Sequence, residues 1–177
     1  MKTSPTMSGL SLLFLSLLFT LNCHSHADLI GITCKKTEFT DLCISTLRSD
    51  PRSAAADVKG LARIMFDAAL AKVTATLGQT KDLLKKTSDP DLREYLTVCA
   101  EQYERATEDI FTAIQNVGSD NFESRTYADA VYDEARSCEE IFTERSPPRK
   151  RKSPFTVVND VVKKLVMIAS GIVKSLG

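Results

Sequence analysis

The stretch at residues 89–118, DPDLREYLTVCAEQYERATEDIFTAIQNVG, decides how the rest of the chain is interpreted. It opens with Asp89 and Pro90, a pair typical of a helix cap followed by the first turn. It ends at Gly118, the residue type that most often stops a helix. Between them an apolar residue recurs every three or four positions: Leu92, Leu96, Cys99, Tyr103, Ala106, Ile110, Ala113 and Val117. This spacing predicts one long amphipathic helix with a cysteine on its buried face.

The same pattern predicts three more long helices. The first long helix is expected to follow Asp50 and Pro51, which are typical of a helix start. The third is expected from about Phe122 to Thr143, and the last is expected to begin at Ser153-Pro154. Their apolar stripes are Val58, Leu61, Met65, Ala69, Val73, Leu77 and Leu84, then Val131, Ala135, Cys138 and Phe142, then Val157, Val161, Leu165, Ile168, Ile172 and Leu176. We therefore expect an all-α fold, with an up-down-up-down four-helix bundle over residues 50–177 and a helical hairpin over residues 28–48.

The N-terminal residues have the features of a signal peptide. Lys2 supplies a positive charge, and the apolar run Leu10–Leu21 is shorter than the roughly 20 residues that a bilayer requires, which disfavours a retained membrane anchor. Ser25-His26-Ala27 fits the small-x-small rule for cleavage. We predict a signal peptide at residues 1–27 and a secreted chain at residues 28–177.

The charge of the predicted secreted chain is close to neutral. Lys2 leaves with the signal, so residues 28–177 carry one basic residue fewer than their 23 acidic residues. Because proteins that bind nucleic acid or anionic lipid usually present an excess of positive charge, neither is expected as a partner. No second apolar run approaches the length of a membrane span.

Residues 28–177 contain no histidine, so Ser-His-Asp and Cys-His catalytic arrangements are excluded. A set of carboxylates crowds the third helix: Asp129, Asp133, Glu134, Glu139, Glu140 and Glu144. A carboxylate pair can perform acid/base chemistry, but most of these residues are expected on the solvated face of the helix. We predict that the protein is not an enzyme and needs no cofactor.

Four cysteines remain after loss of Cys23 with the signal, and a secreted chain is expected to pair them in one of three ways. Cys34 and Cys43 lie nine residues apart around a plausible turn, so a bridge between them would staple a short hairpin. Cys99 and Cys138 lie on apolar helix faces, so we expect the second bridge there. A metal site is disfavoured because there is no CxxC pair and no histidine.

The basic segment at residues 146–152, SPPRKRK, follows the third helix. We interpret it as a solvated loop between the last two helices. Proteolytic processing there is the alternative, because exposed loops are preferred cleavage sites.

Several short motifs occur together in this chain: TCKKT at 33–37, DLC at 41–43, SDPRS at 49–53, DVKGLA at 57–62, Cys99 with Tyr103, CEEIF at 138–142 and KSPF at 152–155. With the order of the four cysteines, they resemble the plant invertase and pectin methylesterase inhibitor family over nearly all of residues 29–176. The resemblance implies a four-helix bundle with an N-terminal hairpin, cysteines paired first to second and third to fourth, and secretion.

The resemblance also implies how the protein acts. It would inhibit a plant carbohydrate-active enzyme by 1:1 binding over the active-site cleft, in the apoplast (the cell wall) or alternatively the vacuole. The expected target is an acid invertase (beta-fructofuranosidase), and pectin methylesterase is the alternative. A helical ligand carrier or signalling protein is a more distant alternative, since medium-sized aliphatic residues and alanines should leave no large cavity.

The expected target-binding residues follow from the same resemblance. Invertase inhibitors of the family place a Pro-Lys-Phe loop between the second and third bundle helices, and the matching positions here are Asp120, Asn121 and Phe122. Only the phenylalanine is retained, and an ionised Asp120 would be unfavourable in an acidic pocket. Arg125 is the candidate to supply the missing positive charge. A purely structural role for Phe122, as a staple at the start of a helix, is the alternative.

Overall fold

The computed structural model describes residues 29–144 and 149–177, and within them the chain is helical. The segment 29–34 forms α1. It is followed by α2 (Thr40–Ser49) and a 3-10 turn (Pro51–Ala55). The four long helices are α3 (Val58–Lys86), α4 (Pro90–Asn116), α5 (Asn121–Thr143) and α6 (Thr156–Lys174). The predicted signal peptide at 1–27 lies outside the described residues and stays a prediction.

The four long helices form a closed bundle. Helix α3 packs against α4 and α6, and α5 packs against the same two helices. The hairpin made of α1 and α2 is joined to the bundle through contacts of α2 with α3 and α6. The prediction of an all-α four-helix bundle with an N-terminal hairpin and two disulfides is confirmed. None of the described helices combines the length and the apolar character that a membrane-spanning segment requires.

The starts of the helices follow from side-chain caps. Asp89 accepts hydrogen bonds from the backbone N–H groups of Asp91 and Leu92, which satisfies donors that the first turn of α4 leaves unpaired. The cap predicted at Asp50 is wrong for α3, because Asp50 instead caps the 3-10 turn through the Arg52 N–H. The cap of α3 is Asp57, whose carboxylate accepts from the Gly60 N–H at 2.8 Å.

Both disulfides lie in the core. Cys34 is bonded to Cys43 within the hairpin, and Cys99 is bonded to Cys138 between α4 and α5. Four buried aromatic residues pack edge-to-face near the second bridge: Tyr95 with Phe142 at 5.2 Å, Phe142 with Phe155 at 6.4 Å, and Tyr103 with Phe155 at 6.1 Å between ring centroids. This end of the bundle is thus fastened both covalently and by large apolar side chains.

The buried face of α6 is displaced from the predicted stripe. Val157, expected in the seam, is 79% exposed, and Asn159 is buried instead. The Asn159 side chain accepts a hydrogen bond from the Tyr103 hydroxyl and donates one to Glu139 Oε2 at 3.0 Å. The buried Asn159 amide thus has partners on both its oxygen and its nitrogen, with the half-buried Glu139 at the edge of the core, and Val157 faces solvent. Burial and the nearby Glu139 raise the pKa of Tyr103, which therefore stays protonated.

Candidate functional site

A tight turn at residues 117–120 joins α4 to α5 at the end of the bundle remote from the Cys99–Cys138 bridge. Two successive N–H groups, of Ser119 and Asp120, donate to the Asn116 carbonyl at 3.1 and 2.9 Å. Gly118 adopts a φ of 82°, a left-handed conformation that residues with a side chain rarely adopt. The glycine predicted as a helix stop therefore ends α4 through its backbone conformation.

Two of the predicted target-binding residues hold this turn in place. The Asp120 carboxylate accepts from the Glu123 N–H at 2.9 Å and so caps α5. Asn121 Oδ1 accepts from the Gly118 N–H at 2.9 Å, and its Nδ2 donates to the carbonyl of Gly177, which follows α6, at 2.8 Å. Asp120 and Asn121 thus fix the turn with respect to both α5 and the chain end after α6.

Phe122 projects from this turn into solvent. It is the second residue of α5 and is 79% exposed, so it does not act as the hydrophobic staple considered as an alternative. A phenylalanine exposed to this extent adds no burial energy to the fold. Its position on a turn that is held by hydrogen bonds makes it a candidate contact residue.

Two cations of α3 lie against the same turn, and the sequence analysis missed them. Lys59 Nζ is 3.5 Å from the Gly118 carbonyl oxygen, and the Arg63 guanidinium donates to the Val117 carbonyl at 3.2 Å. A Cβ atom at position 118 would lie 2.6 Å from Lys59 Cε, so a side chain at this position would displace the lysine from its place across the turn. The sequence offers one indication of this pair of cations: Lys59 and Arg63 are four residues apart, a spacing that places them on one face of a helix.

Arg125, the predicted source of positive charge, lies one helical turn after Phe122 and is half-buried. Its Nε is buried without a hydrogen-bond partner, and the guanidinium forms no ion pair with the residues that the structure describes. The turn thus gathers Phe122, Lys59 and Arg63 at its surface, with Arg125 set further along α5. Within the described ranges, no group of three or more Asp, Glu, Cys or His side chains is placed to hold a metal ion.

Part of the basic segment is bound to the start of α4, whereas the sequence predicted a solvated loop. Residues 145–148 lie outside the described part, but Arg149 pairs with Glu94 and Asp91, and Arg151 with Asp89 at 2.6 Å. The Tyr95 hydroxyl also donates to the Arg149 carbonyl at 2.8 Å. Hydrogen bonds from Arg151 and from the backbone hold the pKa of Asp89 below its usual value. The two arginines therefore tie the segment to α4, while Lys150 and Lys152 face solvent.

The carboxylates of α5 also depart from the prediction of a solvated face. Asp129, Asp133 and Glu144 are exposed, in agreement with the prediction. Glu134 is only 8% exposed, and burial, reinforced by the negative charge of Asp109, raises its pKa to about 8. It lies at the interface with α4, on the border of the apolar stripe, where the periodicity of the sequence does not distinguish buried from exposed positions.

Residues 28–172 match the family described as "Plant invertase/pectin methylesterase inhibitor". The chain belongs to this family. The family is one of inhibitors, so the prediction that the protein is not an enzyme is confirmed.

Relatives in the family bear names of both kinds. The "Pectinesterase inhibitor" of Actinidia deliciosa is 36% identical over 68% of this chain and 64% of its own length. The "Cell wall / vacuolar inhibitor of fructosidase 1" of Arabidopsis thaliana is 32% identical over 85% of this chain and 73% of its own length. The crystal structure of a mutant pectin methylesterase inhibitor from Arabidopsis superposes on this chain with a TM-score of 0.68 at 24% sequence identity. The match covers 81% of this chain and 94% of that one, and it shows that the two share a fold.

Proposed function

We propose that the protein is a secreted inhibitor of a plant acid invertase, and that the α4–α5 turn enters the active-site cleft in a 1:1 complex. The observation that carries this proposal is Phe122, an aromatic side chain 79% exposed on a turn that three side-chain hydrogen bonds of Asp120 and Asn121 hold in place. The names of the relatives that refer to cell wall and vacuole support an apoplastic or vacuolar location.

The rigidity of the turn favours binding. Asn121 connects Gly118 to Gly177, and Asp120 caps α5, so the backbone around Phe122 is ordered before any partner arrives. Association then costs less conformational entropy than it would for a mobile loop. An exposed aromatic residue on such a support is the type of side chain that dominates binding energy when it fills a pocket.

The cations of α3 place positive charge next to the turn, where the family's invertase inhibitors have a lysine at the position that matches Asn121. Lys59 and Arg63 lie against the carbonyl groups of the turn, and neither forms an ion pair with a described residue. Glycoside hydrolysis depends on a pair of carboxyl groups, so the cleft of an invertase should present negative charge to them. Asp120 is directed at the N-terminus of α5, where the helix dipole offsets its charge.

The decisive test is inhibition by the chain 28–177 of a cell-wall invertase, a vacuolar invertase and a pectin methylesterase, with and without the substitution Phe122→Ala. We expect invertase inhibition, weakened on the order of 30-fold by the substitution, because truncating an anchor residue costs about 2 kcal/mol or more. Val157→Ala is the matched control, since Val157 is equally exposed but lies at the other end of the bundle. If none of the three enzymes loses activity, the proposal is wrong.

Pectin methylesterase is the second candidate target, favoured by the 36% identity to the Actinidia deliciosa inhibitor. In that case the contacts are expected from the helical faces of the bundle. Inhibition of pectin methylesterase alone, unchanged by Phe122→Ala, would favour this candidate over the first.

A further inference from the structure

The side chain of Asn121 joins the ends of three helices. Asn121 is the first residue of α5. Its Oδ1 accepts a hydrogen bond from the N–H of Gly118, which lies just after the end of α4, at 2.9 Å. Its Nδ2 donates to the carbonyl of Gly177, which lies just after the end of α6, at 2.8 Å. The oxygen and the nitrogen of this amide are therefore both bound within the chain.

The segment after α6 offers the amide a fixed partner. The N–H groups of Ser175 and Leu176 each donate to a carbonyl in the last turn of α6 at 3.0 Å, and the Ser175 hydroxyl donates to the Ile172 carbonyl at 2.7 Å. Leu176 is half-buried against the hydrophobic core. The carbonyl that meets Asn121 is thus placed with respect to α6 by the residues that precede it.

The presentation of Phe122 depends on this amide. Phe122 follows Asn121 directly and is 79% exposed, so burial of its own ring contributes little to holding it in place. The Asp120 carboxylate bonds to a backbone N–H of α5. The Asn121 side chain adds a connection from the start of α5 to the turn and to the segment after α6. The orientation of Phe122 relative to α6 is therefore controlled from position 121.

We propose that Asn121 is a positioning residue and not a contact residue. It acts as a clasp between the turn and residues 175–177, so that the segment after α6 determines how firmly Phe122 is presented to a partner. The clasp reduces the conformational freedom that the turn must give up on binding, which favours association. The consequence for inhibition rests on the proposed function. The consequence for the order of the turn does not.

The first test measures amide hydrogen exchange at Gly118 by NMR in the chain 28–177, in a shortened chain 28–176 and in Asn121→Ala. The Gly177 carbonyl bonds to Asn121, so its removal acts on the Gly118 N–H through the Asn121 side chain. We expect the protection of Gly118 to fall about 5-fold in the shortened chain, the size of effect that the loss of one hydrogen bond produces. Unchanged protection of Gly118 in the shortened chain would overturn the proposal.

Asn116→Ala is the matched control. Asn116 is half-buried, like Asn121, and its Nδ2 donates to the Thr112 carbonyl at 3.0 Å within α4. The same substitution thus removes a side-chain hydrogen bond near the turn without touching the connection to α6. Shortening the chain should lower the protection of Gly118 in Asn116→Ala as it does in the wild type, and should have no further effect in Asn121→Ala. Additive losses in Asn121→Ala would contradict the clasp.

Inhibition gives the second readout, on whichever of the three enzymes the chain 28–177 inhibits most strongly. Asn121→Ala and the shortened chain should each weaken inhibition about 5-fold, and their combination should weaken it no further. The loss on Phe122→Ala should also be smaller in Asn121→Ala than in the wild type, whereas a merely structural role of Asn121 would leave it unchanged. Inhibition that is insensitive to shortening would overturn the proposed role of residues 175–177.

The two readouts separate this proposal from the proposed function. If the exchange results hold and none of the three enzymes is inhibited, the clasp stands and the proposed function fails. If an enzyme is inhibited through Phe122 while shortening changes neither the exchange of Gly118 nor the inhibition, the proposed function stands and the clasp fails.

Discussion

The two ends of the bundle are built in different ways. At one end, the disulfide end, the Cys99–Cys138 bridge is surrounded by buried aromatic rings, and Arg149 and Arg151 pair with carboxylates of α4. At the other, the turn end, the chain is held by hydrogen bonds of Asp120 and Asn121. The turn end leaves Phe122 in solvent.

This difference teaches that the fold separates the groups that give stability from those that are free to bind. The disulfide end uses its aromatic and charged side chains for contacts within the chain. The turn end leaves Phe122 in solvent, and its cations Lys59 and Arg63 contact backbone carbonyl groups of the turn without forming an ion pair with a described residue. An exposed aromatic side chain beside such cations, on a backbone held by hydrogen bonds, is an arrangement suited to recognition.

The largest expected effect tests the disulfide end. Replacing Cys99 and Cys138 by Ala should lower the free energy of unfolding by on the order of 4 kcal/mol, because the bridge closes a loop of roughly 40 residues in the unfolded chain. Replacing Cys34 and Cys43 should cost less, about 3 kcal/mol, because that loop has only about ten. Urea denaturation of both double variants measures the difference. A larger loss from the hairpin bridge would contradict the assignment of stability to the disulfide end.

Much of the disulfide end could be predicted from the sequence. The spacing of apolar residues around Cys99 and Cys138 predicted α4 and α5 and placed both cysteines on buried faces. Periodicity reports which face of a helix is buried, but it does not report which polar residue at the border of that face meets another helix. For this reason the sequence predicts that most carboxylates of α5 face solvent and does not single out Glu134 as the buried one.

The spacing of Lys59 and Arg63 puts both cations on one face of α3, but the sequence does not show that this face meets the turn at residues 117–120. Lys59 and Gly118 are far apart in the sequence and meet only because α3 and α4 pack side by side. The resemblance to the family predicts contacts only at residues 120–122 and nearby Arg125, because a sequence motif covers residues that are close together along the chain. Groups that reach the same place from another helix are found only in the folded structure.

The next effect tests the turn end. Gly118→Ala should cost about 1–2 kcal/mol, because alanine is strained at a φ of 82°. Its Cβ would also push the Lys59 side chain away from the turn, so inhibition should weaken. Gly78→Ala is the matched control: this glycine lies within α3 with no atom within 4 Å of an added Cβ, and the change should stabilise the protein by about 0.5–1 kcal/mol. A Gly118→Ala variant as stable as the wild type would show that the turn is not constrained as described.

The smallest effect returns to the disulfide end. Arg151→Gln removes the ion pair with Asp89. Because this pair is open to solvent, the free energy of unfolding should change little. Any loss should disappear in about 1 M salt, where charges are screened beyond roughly 3 Å. Limited trypsin digestion followed by mass spectrometry should instead show faster cleavage after Lys150 and Lys152, because Arg151 ties that segment to α4. Arg136→Gln, which breaks exposed pairs within α5, is the control. Unchanged cleavage would mean that the hydrogen bond between Tyr95 and Arg149 and the backbone bond of Arg151 to Phe142 hold the segment without the ion pair.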